Sequence, residues 1–121
     1  MHPGLTGTAS LTVSAADTAS ALGSGDVDVL ATPRVLALAE AATVAAVADA
    51  IADHETSVGT HVSLDHRRPT TVGATVVATA TLMSVDGPRL RFEVEVVQGD
   101  YVIAGGVIER VVVDRERFLR R

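Results

Sequence analysis

The segment over residues 35–52 constrains the fold more than any other part of the sequence. Nearly every residue in it is Ala, Val, Leu or Ile, and Glu40 and Asp49 are its only charged residues. Thr32 ahead of it is a good N-cap, and Pro33 suits the first helical position, where its missing N–H costs nothing. A helix that is apolar almost all round is typically buried. We therefore expect the rest of the chain to wrap around this helix.

Strand patterns occupy most of the remaining sequence. Residues 8–15 alternate between apolar and polar side chains, which is the period of a half-buried strand. After the helix, alternation or a high content of β-branched residues predicts four more strands, over residues 58–66, 75–85, 90–96 and 101–113. In the strand over residues 58–66, the pattern places Val58, Thr60, Val62, Leu64 and His66 on one face. Residues 114–121 are expected to form a frayed helical tail.

The order of these elements predicts the fold class. One strand, a buried helix and four consecutive strands indicate an α+β protein whose curved antiparallel sheet wraps around one long buried helix. This is the hot-dog arrangement. A chain of 121 residues can bury one core but not two, so residues 1–121 are expected to form a single domain. Residues 16–31, which include Gly23, Ser24 and Gly25, have turn chemistry and are predicted to form an irregular lid.

The composition of the apolar residues favours a partner subunit. Aromatic residues make up 2% of the chain although 47% of it is hydrophobic, so the core must come from small and branched aliphatic side chains. Such side chains bury less area each, and a lone subunit would gain stability from a partner. The strand over residues 75–85 offers an edge that could extend a neighbour's sheet. We therefore predict a homodimer.

Charge and missing residue types exclude several classes of function. The net charge is −5, which disfavours nucleic acid as a partner, and the adjacent Arg67 and Arg68 are interpreted as a solvated face. The absence of cysteine excludes disulfides, thiolate metal sites and a thiol nucleophile. The apolar segment is too short and too charged to span a bilayer, and no secretory signal is visible. The expected location is cytoplasmic, without a membrane partner.

Glu40 and His66 are the residues most suited to chemistry. Glu40 is an acid inside an apolar helix, where a carboxylate is costly to bury unless it lines a pocket or meets a structural partner. His66 ends a strand face shared with Val62 and Leu64, and a histidine there could transfer protons near neutral pH or serve structure alone. We expect the two side chains to line one pocket.

Three further observations leave alternatives open. Thr32 is most simply the helix cap. A metal site is not expected, because strand parity places His61 and His66 on opposite faces. Gly59 offers a backbone N–H, and Gly105-Gly106 would allow another backbone or a ligand to approach closely.

Four short motifs together resemble the fluoroacetyl-CoA thioesterase family. Val29-Leu30-Ala31-Thr32 followed by Glu40 resembles the start of that family's central helix. Gly59-Thr60, then Asp65-His66 followed by Pro69 and Gly73, resembles its second strand and exit loop. Glu109-Arg110 after Gly105-Gly106 resembles its final strand. The resemblance runs over residues 29–118 with the spacings in register.

The resemblance implies an acyl-CoA thioesterase with a defined set of site residues. Catalytic roles fall on Thr32, Glu40 and His66, and substrate contacts fall on Gly59 and Arg110. No metal or other cofactor is implied, and coenzyme A takes part only as a portion of the substrate. Eight helical residues rise about 12 Å, so Thr32 and Glu40 of one chain cannot touch the same atom. The lid, the substrate or a partner subunit would have to close that gap, and the resemblance implies a site at a dimer interface.

The lid separates this sequence from the fluoroacetyl-selective members. Those members cover the fluorine with aromatic lid residues, whereas residues 16–31 contain no Phe, Tyr or Trp. We therefore expect hydrolysis of a short-chain acyl-CoA without fluoroacetyl selectivity. Two rival functions remain, a hot-dog enoyl-CoA hydratase and a non-catalytic hot-dog domain that binds acyl-CoA or another small ligand. The first is disfavoured because no Asp and His occur together ahead of the helix.

Overall fold

A computed structural model describes residues 1–120 of the chain. The sheet contains β1 (Thr6–Thr12), β2 (Glu55–His66), β3 (Thr75–Asp86), β4 (Arg89–Gln98) and β5 (Tyr101–Asp114), and the helices are α1 (Ala19–Leu22), α2 (Thr32–Ala46) and α3 (Arg115–Leu119). The predicted order of one strand, one long helix and four strands is confirmed. The helical tail is also confirmed over the residues of α3, while Arg121 lies outside the described residues.

All five strands form one antiparallel sheet in the order β1-β3-β4-β5-β2. The helix α2 packs across this sheet and contacts every strand. The expectation that β3 offers a free edge is wrong, because β1 returns to pair along β3 from Thr6–Thr81 to Thr12–Thr75. Within residues 1–120, the free edges of the sheet are β1 and β2. Alternation within a strand shows which face is buried, but it carries no information about which neighbour a strand will choose.

The helix α2 is shorter and less enclosed than the sequence predicts. It ends at Ala46, and residues 47–50 form turns although Ala48 and Ala50 are good helix formers. One face is buried against the sheet through Val35, Leu38, Ala39, Ala42, Thr43 and Ala46. The opposite face is apolar and exposed in the single chain at Ala37, Ala41, Val44 and Ala45. One sheet covers only one side of a helix, so complete burial would require a second surface.

Small residues let the backbones of α2 and β1 approach closely. A Cβ atom placed on Gly7 would collide with the Ala46 nitrogen and the Ala42 carbonyl oxygen, so no side chain fits there. The centre of the core is otherwise aliphatic, with Phe92 as its one fully buried aromatic side chain among the described residues. This packing agrees with the expectation that the core comes from small and branched aliphatic side chains.

The segment over residues 16–31 is more regular than the irregular lid that we expected. Ala15–Asp17 form a single 3-10 turn that Ser14 caps, and Thr18 caps α1 by accepting a hydrogen bond from the Ala21 N–H. The ends of the segment are joined because the Ala31 N–H donates to the Asp17 carbonyl oxygen over 2.9 Å. Turn-forming residues such as Ser and Thr are therefore acting here as helix caps.

Two structural features are absent from residues 1–120. None of the helices there has the length and apolar content needed to cross a membrane. Within the same residues, no three His, Asp or Glu side chains converge in a way that could hold a metal ion.

Candidate active site

Thr32 and His66 meet where α2 begins and β2 ends. The Thr32 Oγ1 and the His66 Nδ1 lie 2.8 Å apart, within hydrogen-bonding distance. Thr32 is the first residue of the helix, and the N-cap is Ala31, which makes no side-chain cap. The interpretation of Thr32 as the helix cap is therefore wrong. Its hydroxyl is directed to the histidine instead.

This pair opens into a cavity of about 360 Å³. The lid segment supplies one wall with small side chains, and the loop after β2 supplies another; together the lining includes Ala19, Ser24, Gly25, Val27, Thr32, His66, Arg67 and Arg68. A volume of this size suits a small ligand or part of a larger one. Residues 16–31 therefore supply part of the wall of the candidate site, and their action as a lid stays a prediction.

A β-bulge decides which side chains of β2 share a face with His66. The pairing of β2 with β5 shifts between Gly59 and His61, so one extra residue, Thr60, is inserted. After the bulge, Val62, Leu64 and His66 share one face, as predicted. Before it the parity changes, so that Gly59 shares this face and Val58 does not. The single-face prediction is therefore wrong for Val58 and Thr60, because simple alternation does not anticipate a bulge.

The environment of His66 favours its neutral form. Burial lowers the pKa of the imidazole below its ordinary value of 6.5, and the Arg68 backbone opposes this shift in part. The Nε2 atom is buried and makes no hydrogen bond within the described part of the chain. A neutral imidazole whose Nδ1 faces a hydroxyl can accept a proton from it.

The lowered pKa gives a prediction for titration. We expect the ring protons of His66 to titrate with a midpoint below pH 6.5 when followed by NMR. Because the folded-state pKa is lowered, His66 contributes stability that is present above pH 6.5 and is lost as the pH falls through its folded midpoint. A His66→Gln variant should lack this part of the pH dependence. A midpoint at or above 6.5 would show that His66 is not desolvated in solution.

Glu40 belongs to a second cluster, with Arg110 of β5. The Arg110 Nη1 lies 3.5 Å from the Glu40 Oε2, and the same guanidinium donates from Nε to the Ser57 Oγ over 2.9 Å and from Nη2 to the Ser57 carbonyl oxygen over 2.8 Å. The Arg110 side chain is 8% exposed and that of Glu40 is 36% exposed. Burial lowers the pKa of Arg110, and the charge of Glu40 opposes that shift. The arginine is thus fixed by Ser57 and directed at the carboxylate.

Gly59 provides the space in which this ion pair forms. A Cβ atom on Gly59 would lie 2.8 Å from the Glu40 Oε2 and 3.7 Å from the Arg110 Nη1. Any side chain at this position would therefore displace the carboxylate. Ser57 and the bulge at Thr60 were not identified from the sequence. The only indication for Ser57 in the sequence is that it lies two residues before Gly59, which places both residues on the same face of a strand.

The five predicted site residues form two clusters within one chain. Thr32 lies with His66 at the cavity, and Glu40 lies with Gly59 and Arg110 farther along α2. Glu40 is not among the residues that line the cavity of Thr32 and His66, so the expectation that Glu40 and His66 line one pocket is wrong for the single chain. The two clusters are therefore not joined around this cavity in the single chain, in agreement with the helical rise of about 12 Å between Thr32 and Glu40.

Comparisons with known proteins agree on one family. The family model for fluoroacetyl-CoA-specific thioesterase matches residues 13–116. A fluoroacetyl-CoA thioesterase from Streptantibioticus cattleyicolor is 38% identical over 91 residues, which cover 75% of this chain and 66% of that protein. The chain thus spans just under two thirds of the length of this relative.

Solved structures show the same fold. A mutant of the fluoroacetyl-CoA-specific thioesterase FlK, in complex with fluoroacetate and CoA, matches with a TM-score of 0.91 and 33% identity over 98% of this chain and 99% of that chain. A hot-dog-like protein from Thermanaerovibrio acidaminovorans matches with a TM-score of 0.88 and 23% identity over 98% of this chain and 88% of that chain. The predicted hot-dog fold is therefore confirmed, and the chain belongs to the fluoroacetyl-CoA-specific thioesterase family.

Proposed function

We propose that this protein hydrolyses short-chain acyl-CoA thioesters. The observation that carries the proposal is the 2.8 Å contact between the Thr32 hydroxyl and the His66 imidazole at the mouth of a cavity. Such a pair can position and deprotonate a hydroxyl or a water molecule next to a bound thioester. Membership of a thioesterase family supports the same chemistry.

Each site residue has a role in this proposal. Glu40 acts as the nucleophile or as the general base for water, and Arg110 holds its carboxylate in place. His66 moves protons, and Thr32 positions the reacting group. The Gly59 N–H stabilises the negative charge that develops on the thioester oxygen. Water adds to the acyl carbon, the carbon–sulfur bond breaks, and the sulfur leaves with a proton as the CoA thiol. No step requires a metal or a redox cofactor.

A homodimer completes the site in this proposal. The exposed apolar face of α2 and the free edge of β2 are surfaces that a second copy can cover. Glu40 is directed towards β2 and lies next to Gly59 on that edge strand. A partner would thus bring its own cluster of Glu40, Gly59 and Arg110 to the Thr32 and His66 of the first subunit. The proposal retains the cytoplasmic location expected from the sequence.

The lid favours a broad range of short acyl groups. The cavity wall that it forms contains no aromatic ring and comes from Ala19, Ser24, Gly25, Val27, Val29 and Leu30. Rings packed against the acyl group would be needed to select fluoroacetyl from acetyl, because the two differ by a single small atom. We therefore propose no preference for the fluorinated substrate.

A panel of thioesters tests the proposal. Purified protein is incubated with acetyl-, propionyl-, butyryl-, hexanoyl- and fluoroacetyl-CoA while a thiol reagent reports free CoA. We expect release from several members and rates for acetyl- and fluoroacetyl-CoA within about tenfold of each other, since one small contact changes discrimination only modestly. Hydration is tested separately with crotonyl-CoA, because its conjugated absorbance is lost when water adds to the double bond. Binding without release from any thioester would support the non-catalytic rival.

A further inference from the structure

Arg68 lies where the candidate active-site cavity meets a second concavity. The neighbouring groove, of about 340 Å³, is lined by Arg68, Pro69, Gln98, Tyr101 and Ile103. Arg68 and Pro69 also line the cavity of Thr32 and His66. The backbone N–H groups of Arg67 and Arg68 donate to the Ile103 carbonyl oxygen over 2.8 and 3.3 Å, which fixes the chain here. A ligand that extends from His66 into the groove would pass Arg68.

Arg68 differs from most other arginines in having no carboxylate partner. Arg67 pairs with Asp65 at 3.5 Å, Arg34 with Asp17 at 3.1 Å and Arg110 with Glu40 at 3.5 Å. Over residues 1–120, the Arg68 side chain makes neither a salt bridge nor a hydrogen bond. Its guanidinium instead stacks over the Tyr101 ring, 4.9 Å from the centroid. Stacking occupies the flat face of a guanidinium and leaves the N–H groups at its edge free to donate.

Packing in the core does not explain the position of Tyr101, because its side chain is largely exposed. It is the single tyrosine of the chain and is 60% exposed. The protein also carries a net charge of −5, which repels an anionic ligand unless a local cation compensates. An exposed ring that holds an unpaired guanidinium at the mouth of a cavity provides such compensation. Planar guanidinium edges match carboxylate and phosphate oxygens with two parallel hydrogen bonds.

We propose that Arg68, positioned by Tyr101, binds an anionic group of the thioester substrate at the cavity mouth. This inference rests on the proposed function. The anion is either a phosphate of the coenzyme A portion, which would lie in the groove of Tyr101, or a carboxylate at the far end of the acyl group, which would lie in the cavity. Both present the same oxyanion chemistry to the guanidinium edge.

Matched variants and substrates test the role of Arg68. The variants are Arg68→Gln, Tyr101→Ala, Tyr101→Phe and, as the charge control, Arg89→Gln, since Arg89 is another exposed arginine without a salt bridge in residues 1–120. The substrates are butyryl-CoA, butyryl-pantetheine, which lacks the nucleotide phosphates, and succinyl-CoA. Arg68→Gln is expected to raise KM roughly tenfold with little change in kcat, the scale of one charge-assisted hydrogen bond at a partly exposed position. Tyr101→Ala should raise KM by less, and Tyr101→Phe should not raise it.

The substrates identify which anion is bound. A phosphate role predicts that KM rises for both CoA thioesters and not for butyryl-pantetheine. A carboxylate role predicts a rise for succinyl-CoA alone. An Arg68→Gln variant that behaves like Arg89→Gln on all three substrates overturns the inference. If no thioester is hydrolysed, calorimetric binding of the same three ligands gives the same comparison, so failure of the proposed function and failure of the anion site remain distinguishable.

Discussion

Replacing His66 with alanine is expected to lower the rate of thioester hydrolysis by roughly a hundredfold or more, the scale of one positioned acid–base group. Thr32→Ala should have an effect of the same order, because its hydroxyl makes the 2.8 Å contact with the Nδ1 atom of His66. Thr32→Ser keeps the hydroxyl and should retain most of the activity. Turnover and melting temperature measured on the same preparations separate loss of chemistry from loss of fold.

The melting temperatures are part of this expectation. Thr32 is exposed and does not cap the helix, so Thr32→Ala should not incur the loss of about 1 kcal/mol that removal of an N-cap causes. Glu40→Gln should lower turnover by roughly a hundredfold or more while keeping the side-chain volume. Its stability cost should be modest, because Ser57 still holds Arg110 and solvent reaches the partly exposed Glu40 position. Wild-type turnover in all three loss variants would show that the site is wrong.

The sequence predicts the element order and the inward side chains of β4 well. Leu90, Phe92, Val94 and Val96 are all buried, because a strand with one face against a core must alternate. Thr32 and His66, which the resemblance assigns to one site, are found in contact, while their catalytic roles stay a prediction. These features depend on local periodicity or on short motifs, both of which are visible in a single sequence.

Features set by three-dimensional pairing were not predictable in the same way. The bulge at Thr60 changes which side of β2 each residue faces, and it places Gly59 beneath the Glu40 carboxylate. The early end of α2 at Ala46 contradicts the helix propensity of the alanines that follow. The position of β3 inside the sheet depends on the return of β1. For the bulge and for the position of β3, pairing with a distant strand outweighs the local preference.

The arrangement of the two clusters gives the second large expected effect. If each active site combines Thr32 and His66 of one subunit with Glu40 of its partner, two inactive variants can restore each other. In a dimer of a His66→Ala subunit and a Glu40→Gln subunit, one site carries both substitutions and the other carries neither. That dimer should therefore show about half of the wild-type turnover, although each parent variant is reduced by roughly a hundredfold or more.

The most direct test of this account is the turnover of such mixed dimers, prepared by co-expression with two different affinity tags and purified on both. We expect about half of wild-type activity for the dimer of His66→Ala with Glu40→Gln. We expect almost none for the matched control, a wild-type subunit paired with a subunit that carries both substitutions. Sites contained within single subunits would give the reverse result, with an inactive first dimer and a half-active control, and would contradict the account. Failure to recover any doubly tagged protein would contradict the dimer itself.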